Sequence, residues 1–300
     1  MPHRSRVTRR LGLKTALIAA AALPLSSTAL SRSPASAADR HGRLEVMSFN
    51  LRYASTAAPN SWAVRRPVTR ELLRRERPHV IGTQEGLYPQ VCDIAADLGG
   101  RYDWIGTGRA GGSRSEFMAV FYDTRRLAPV EYDHFWLSDT PEVIGSNTWG
   151  GGSIRMVTWV RFRDLRHGRR EFYVLNTHLD NARQKARARA VALITARIAG
   201  FDPSLPLMVT GDFNVAARKN PVYDAMLGTG LVDTWEAAAE RGKQYGTFHG
   251  YRPLTPDGDR IDWILVSPGV TTHRASINTF AVDGQLPSDH LPVQASLTLP

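Results

Sequence analysis

The chain has one cysteine, Cys92, among its 300 residues. A lone thiol excludes any intrachain disulfide, so the fold has to be held by its core. Long apolar runs are equally scarce. One begins at Leu11 and ends at Leu25, too short and alanine-rich to span a membrane comfortably, and no second run of membrane length follows. Acids are missing from residues 1–37, which carry Arg4, Arg6, Arg9, Arg10, Lys14 and Arg32. Residues 38–300 contain no long Pro/Ser linker and no internal repeat. Hydrophobic residues make up 42% and charged residues 22%, which excludes both a disordered chain and a small stapled scaffold.

The acid-free segment has the order of an export signal: basic residues, an apolar run, then Ala35-Ser36-Ala37 as small residues for cleavage. Thr8-Arg9-Arg10-Leu11-Gly12-Leu13-Lys14 resembles a twin-arginine signal, and the general secretory route stays open. The expected division is residues 1–37 as signal peptide and residues 38–300 as one domain of a secreted protein. The formal charge of +10 invites a nucleic-acid partner. Removing residues 1–37 takes six of the 38 basic residues and none of the 28 acidic ones, which leaves only +4. That excess, with no basic tail, argues against a nonspecific nucleic-acid coat protein.

Strand-like runs recur at Leu44–Phe49, Val80–Thr83, Phe117–Tyr122, Met156–Phe162, Phe172–Asn176, Leu207–Thr210 and Ile261–Val266. Helical stretches are expected at Pro67–Arg75, at Tyr88–Leu98 ending in Gly99-Gly100, and at Ala182–Ile198 ending at Gly200. Within the last, Arg183, Lys185, Arg187 and Arg189 form an acid-free run, the pattern of a solvated face. Strands outnumber helices, and the helices fall in separate places along the chain. This favours an α/β fold of two sheets with helices outside them over one parallel sheet.

Several runs stop at polar residues that a core does not want: Asn50, Gln84-Glu85, Asn176-Thr177-His178, Gly211-Asp212-Phe213-Asn214 and Asp262, with Ser288-Asp289-His290 near the end. A single carboxylate after a strand is usually a cap or turn residue. Six such clusters in one domain, all acid, amide or imidazole, point to a site. Asn50, Glu85, Asp212, Asn214 and Asp289 offer oxygen, the donor that Mg²⁺ and Mn²⁺ prefer. His178 and His290 add imidazole without the cysteines of a structural zinc site. A hard cation beside carboxylates and imidazoles suits phosphoryl transfer.

Ser48-Phe49-Asn50, Gln84-Glu85, Asn176-Thr177-His178, Gly211-Asp212-Phe213-Asn214, Arg260-Ile261-Asp262-Trp263-Ile264 and Ser288-Asp289-His290 follow one another in an order that resembles the endonuclease/exonuclease/phosphatase superfamily. The resemblance covers Leu44 to Val293. It implies a four-layer α/β/β/α sandwich with two packed mixed sheets and a site at one rim. It implies Glu85 as metal ligand with Asn50 beside it, and Asp289 as a further acid near the metal. Asp212 would orient and deprotonate the attacking water, unless His290, otherwise a phosphate contact, is the base. Asn214 and His178 would donate to phosphoryl oxygens, and Asp262 would orient His290. Arg155 and His249 are candidate substrate contacts. One or two metals, Mg²⁺ or Mn²⁺, are compatible with this set.

Asp259-Arg260-Ile261-Asp262-Trp263 departs from the inositol-phosphatase pattern, and the lone cysteine departs from the pancreatic-type deoxyribonucleases. Phe135-Trp136-Leu137-Ser138 and Gly145–Trp149 resemble exported bacterial members. The expectation is a secreted metal-dependent phosphoesterase, acting as a monomer on a phosphodiester or phosphomonoester and free of the membrane once the signal is removed. A secreted nuclease acting on DNA or RNA is the alternative. A catalytically inactive binding module on the same fold is the alternative of another class, although none of the catalytic positions is replaced. The Gly/Trp-containing stretch Asp133–Arg155 is expected to form a rim loop over a small group.

Overall fold

The computed structural model describes residues 42–300, and the export segment expected over residues 1–37 lies outside them. Strand β1 (Leu44–Asn50) shows how sequence sets position. Leu44 and Val46 face an apolar layer between two sheets, while Met47 and Phe49 face a second layer shared with helices. A strand covered on both faces has to read as a near-continuous apolar run, and this one does. With a period of two, Ser48 and Asn50 continue the inner face.

The first sheet runs in space β12 (Glu240–Arg241), β14 (Thr271–Ile277), β15 (Val293–Thr298), β1, β2 (Val80–Gln84), β6 (Val120–Asp123), β4 (Tyr102–Ile105). The second runs β11 (Val232–Asp233), β13 (Asp262–Val266), β10 (Leu207–Asp212), β9 (Glu171–His178), β8 (Met156–Asp164), β7 (Leu127–Trp136). A short ribbon pairs β3 (Gly86–Leu87) with β5 (Glu116–Phe117). Both large sheets are mixed: β1 pairs parallel with β2 and antiparallel with β15, and β10 pairs parallel with β9 and antiparallel with β13. Helices α1 (Trp62–Glu76) and α2 (Tyr88–Leu98) cover the outside of the first sheet. Helices α3 (Gln184–Ile198) and α4 (Pro221–Leu227) cover the second, and α5 (Thr234–Ala237) lies at its end. The four-layer α/β/β/α sandwich expected from the sequence is present.

The layer between the sheets is not wholly apolar. Asn176, fully buried on β9, donates to the carbonyls of Thr83 at 2.7 Å and Ala119 at 3.0 Å and accepts from Gln84 Nε2 at 2.7 Å. Thr210 Oγ1 donates to the same Asn176 Oδ1 at 3.2 Å. Gly82 makes room for this bridge, because a Cβ there would lie 2.0 Å from Thr210 Oγ1.

Some local expectations need correction. The first helix begins at Trp62, not Pro67, because Trp62, Arg65, Val68, Thr69, Leu72 and Leu73 form one buried face that starts before the proline. The run Phe117–Tyr122 is divided between β5 and β6. Strands β4, β7, β14 and β15 were not expected. β7 is an edge strand with an exposed middle and a register shift at Pro129, so it carries neither alternation nor an apolar run. The basic face of α3 is solvated only in part: Arg187 is buried and donates from Nη1 to the Asp180 carbonyl at 2.6 Å, so it closes the turn into the helix instead of facing phosphate.

Candidate active site

Pairing register assembles the site. Val46 sits opposite Val80 in the parallel β1–β2 pair, so Asn50 lies abreast of Gln84 and next to Glu85. On the other sheet Asp212 lies abreast of both His178 and Asp262. Asn50, Gln84, His178, Asp212 and Asp262 all stand on inner faces, in step with the apolar residues Val46, Val80, Val174, Met208 and Ile264 of the central layer. The polar ends of both sheets therefore meet where the sandwich opens. Glu85 (φ 63°), Asn214 (φ 54°) and Arg52 (φ 51°) hold left-handed backbone at this rim, an arrangement that costs energy for non-glycine residues and concentrates at functional sites.

Asp212 is the hub. Its Oδ2 accepts from Asn50 Nδ2 at 3.0 Å and lies 3.4 Å from His178 Nε2 and 3.8 Å from His290 Nε2. Its Oδ1 accepts from the Asn214 amide at 2.9 Å. His290 is fixed from behind by Asp262 Oδ2 at 3.0 Å from Nδ1. Ligand atoms of Glu85, His178 and Asp212 lie within 4.8 Å of one another, as do those of Asp212, Asp262 and His290.

Charge follows burial and neighbours. Burial pulls His290 down, but Asp262 and then Asp212 outweigh it and push it up to about 10. His290 is therefore an imidazolium. Burial, then Asp262, raises Asp212 to about 7, with His290 opposing. Burial, then Arg155 and Arg109, hold His178 well below its ordinary value. His178 therefore meets Asp212 as a neutral ring, with Nε2 3.4 Å from Oδ2, a polar contact and not an ion pair.

The remaining expected residues fall into place unevenly. Asn50 turns its amide nitrogen to Glu85 Oε1 at 3.0 Å and to Asp212, while its Oδ1 accepts from the Arg52 amide at 2.9 Å. Its oxygen is not presented toward the carboxylates, so as a metal ligand it would have to turn. Asp289 belongs to neither close cluster; Arg52 links it to Glu85, 3.7 Å from Asp289 Oδ2 and 3.9 Å from Glu85 Oε2. Asn214 spends one amide hydrogen on the Leu179 carbonyl at 2.9 Å, so it braces the loop as well as facing the cleft. His249 accepts the Tyr251 amide at Nδ1, leaves Nε2 unpartnered, and is held down to about 4 by burial and then His290. Arg155 is buried, donates to Asn181 Oδ1 at 3.3 Å, and leaves Nε unpartnered. The rim loop runs from Leu137 to Arg155, shorter at its start than expected, and docks on Asp180 through Gly152 N at 2.8 Å.

Three arginines escaped the sequence reading. Arg52 straddles Glu85 and Asp289. Arg65, fully buried, donates to the carbonyls of Leu51, Arg52, Tyr53, Asn60 and Pro287, tying the chain after Asn50 to the segment before Ser288. Arg109 is buried against His178 and Glu116. Gly108 was the available signal for Arg109, since a Cβ there would meet the Arg114 carbonyl at 2.0 Å.

A cluster of carboxylate oxygens and imidazoles with no thiol has the donor chemistry of a hard divalent cation, and a cation, the Arg52 guanidinium, already lies between Glu85 and Asp289. Sandwich and cluster together define a metal-dependent hydrolase of phosphate ester bonds. The Endonuclease/Exonuclease/phosphatase family pattern matches residues 47–290, and the chain belongs to that family. A mannosyl-6-phosphatase of Bacteroides thetaiotaomicron is similar in structure, with 33% identity, 85% of this chain and 100% of that chain covered, and a TM-score of 0.80. An endonuclease/exonuclease/phosphatase of Bacteroides vulgatus is similar at 30% identity over 86% of this chain and 99% of that one, with a TM-score of 0.81. Among curated proteins, Protein angel of Drosophila melanogaster is 24% identical over 125 residues, 41% of this chain; the match spans only 34% of that protein's length. Among the described residues, no helix is long and apolar enough to cross a membrane.

Proposed function

We propose that the protein is an exported phosphoesterase that hydrolyses a small phosphate ester, of the sugar phosphate type, by metal-assisted attack of water. The observation that carries the chemistry is Asp212, raised toward neutrality and set between neutral His178 and the His290–Asp262 pair. A carboxylate whose proton affinity approaches the working pH is a competent base, whereas an imidazolium is not. Asp212 therefore takes the proton of the attacking water. Asn50 and the Asn214 amide hold its oxygens in place. His290, oriented by Asp262, donates from Nε2 to a phosphoryl oxygen, and His178 donates to another as charge builds. Glu85 and Asp289 are the residues that would hold Mg²⁺ or Mn²⁺, with Asn50 beside them; such an ion neutralises phosphoryl charge and lowers the pKa of water.

The mannosyl-6-phosphatase, 33% identical over its whole length, supports a sugar phosphate as substrate. So does the loop Leu137–Arg155, which is tied down near His178 through Gly152 and Asp180 and offers contacts suited to a small group. The Arg9-Arg10 pair, the apolar run and Ala35-Ser36-Ala37 support export, and extracellular protein should begin near Ala38. Finding Met1 intact in purely cytosolic material defeats the export reading.

The test compares kcat/KM for mannose 6-phosphate, other hexose phosphates, bis(p-nitrophenyl) phosphate, single-stranded DNA and duplex DNA. Each is measured with Mg²⁺, with Mn²⁺ and after EDTA. A sugar phosphate should be the fastest substrate, EDTA should abolish turnover, and either ion should restore it. A preference for DNA of more than about tenfold, with steep salt dependence, would make the protein a secreted nuclease.

A further inference from the structure

Arg109 sits behind the site on the loop that follows β4. It is 2% exposed, and its place is fixed by backbone as well as side chain. Its amide donates to the Glu116 carbonyl at 2.9 Å, and its own carbonyl accepts from Trp136 Nε1 at 2.7 Å. Nη1 lies 2.7 Å from Glu116 Oε2, an ion pair, not an aligned hydrogen bond. Nη2 lies 3.0 Å from Nδ1 of His178.

That last distance decides more than packing. A guanidinium carries five N–H donors and no acceptor, and it stays charged in proteins. Nδ1 of His178 has to be the accepting nitrogen. The ring's one proton then belongs on Nε2, which faces Asp212 Oδ2 at 3.4 Å. We infer that Arg109 is a positioning residue that fixes His178 as the Nε2–H tautomer, so that a donor and not a lone pair faces Asp212 and the phosphoryl oxygens. Its link to turnover rests on the phosphoesterase reading; the tautomer itself does not. With the opposite tautomer, the Nε2 lone pair would oppose a carboxylate and an anionic substrate, and the ring could no longer donate as charge builds. Three changes separate the possibilities. Arg109→Met removes the donor and keeps the stem. Arg109→Lys keeps charge and donor. Arg109→Gln offers an oxygen that can accept from Nδ1–H and so permits the other tautomer.

Protein labelled with ¹⁵N-histidine, free of metal, reports the tautomer directly through long-range ¹H–¹⁵N correlations, with His178 assigned by the signal lost in His178→Ala. Wild type should show an unprotonated Nδ1 and a protonated Nε2. Arg109→Met and Arg109→Gln should show mixed tautomers, with kcat lower by about 10- to 100-fold and KM within about threefold. Arg109→Lys should restore both the tautomer and most of kcat. A wild-type His178 protonated at Nδ1 overturns the inference. So does an Arg109→Met protein that keeps the pure Nε2–H form and normal kcat. If Arg109→Met does not fold, the wild-type spectrum and Arg109→Lys still decide. If wild type turns over no phosphate ester, the phosphoesterase reading fails, while the spectrum still judges Arg109.

Discussion

Gln84 and Asn176 join the two sheets: Nε2 of the first lies 2.7 Å from Oδ1 of the second, where the apolar layer between the sheets gives way to the polar end that holds the site. Both precede site residues by one or two positions, Glu85 and His178. The bond therefore sets the distance between the halves of the site. Removing Asn176 takes one hydrogen bond each from the Thr83 carbonyl, the Ala119 carbonyl, the Gln84 amide and the Thr210 hydroxyl. Asn176→Ala should cost about 2–4 kcal/mol in urea unfolding. Gly82→Ala should destabilise through the same bridge by pressing on Thr210. Loss below about 1 kcal/mol in both would show the bridge to be dispensable.

Arg65 satisfies carbonyls from three loop segments and has no carboxylate partner. Lysine cannot reproduce a planar fork with five donors. Arg65→Lys should lose roughly 2–3 kcal/mol, because an ammonium cannot reach all five carbonyls at once. Because Arg65 ties the Leu51–Tyr53 turn to Pro287, the change should also weaken metal binding between Glu85 and Asp289. Calorimetric titration with Mn²⁺ checks this; unchanged affinity in a destabilised but folded protein would confine Arg65 to stability.

Asp212 and His290 should act in the chemical step. Asp212→Ala and His290→Ala should each lower kcat by about 10²–10⁴-fold with little change in KM. Asp262→Asn should lose less than His290→Ala, since it removes orientation and charge support but leaves the imidazole. Near-normal turnover in either alanine variant contradicts the site.

His79, away from the cleft, gives a pH dependence of stability. Burial, then Arg126, holds it down to about 4, and its Nδ1 accepts the Glu45 amide at 2.9 Å. As pH falls, the unfolded chain takes up this proton near 6.5 and the folded chain does not. The stability contribution is complete above pH 6.5 and is lost as pH falls through about 4, up to roughly 3 kcal/mol in all. His79→Gln keeps an acceptor and should flatten that slope in denaturant titrations between pH 7 and pH 4. An equal slope in the variant would place the proton uptake elsewhere, for instance at His249.

Much of the site was legible because of a simple conflict. A strand covered on both faces must be apolar, so a run such as Leu207–Thr210 that stops at Asp212 announces where the covering ends. Asn50, Glu85, His178, Asp212, Asp262 and His290 were found this way, and the long apolar runs located β1, β2, β8, β9, β10 and β13. β14 and β15 escaped because Thr271–Ile277 and Val293–Thr298 are rich in Thr, Ser, His and Gln, and only pairing with neighbours makes them strands.

By itself, then, the sequence determined where the apolar covering of each strand stops and in which order the polar clusters come, since composition along a strand is a local property. Tertiary structure decided what no local pattern carries. Register put Asp212 abreast of His178 and Asp262, because hydrogen-bond ladders between distant segments choose the pairing. Loop docking buried Arg65 and Arg109, because an arginine leaves water only where several distant acceptors converge on it. Neighbouring donors turned the Asn50 amide away from the expected metal-ligand orientation. Charge state was decided there too: the carboxylates of Asp262 and Asp212 made His290 an imidazolium, while burial, joined by Arg155 and Arg109 at His178 and by His290 at His249, kept the other two rings neutral.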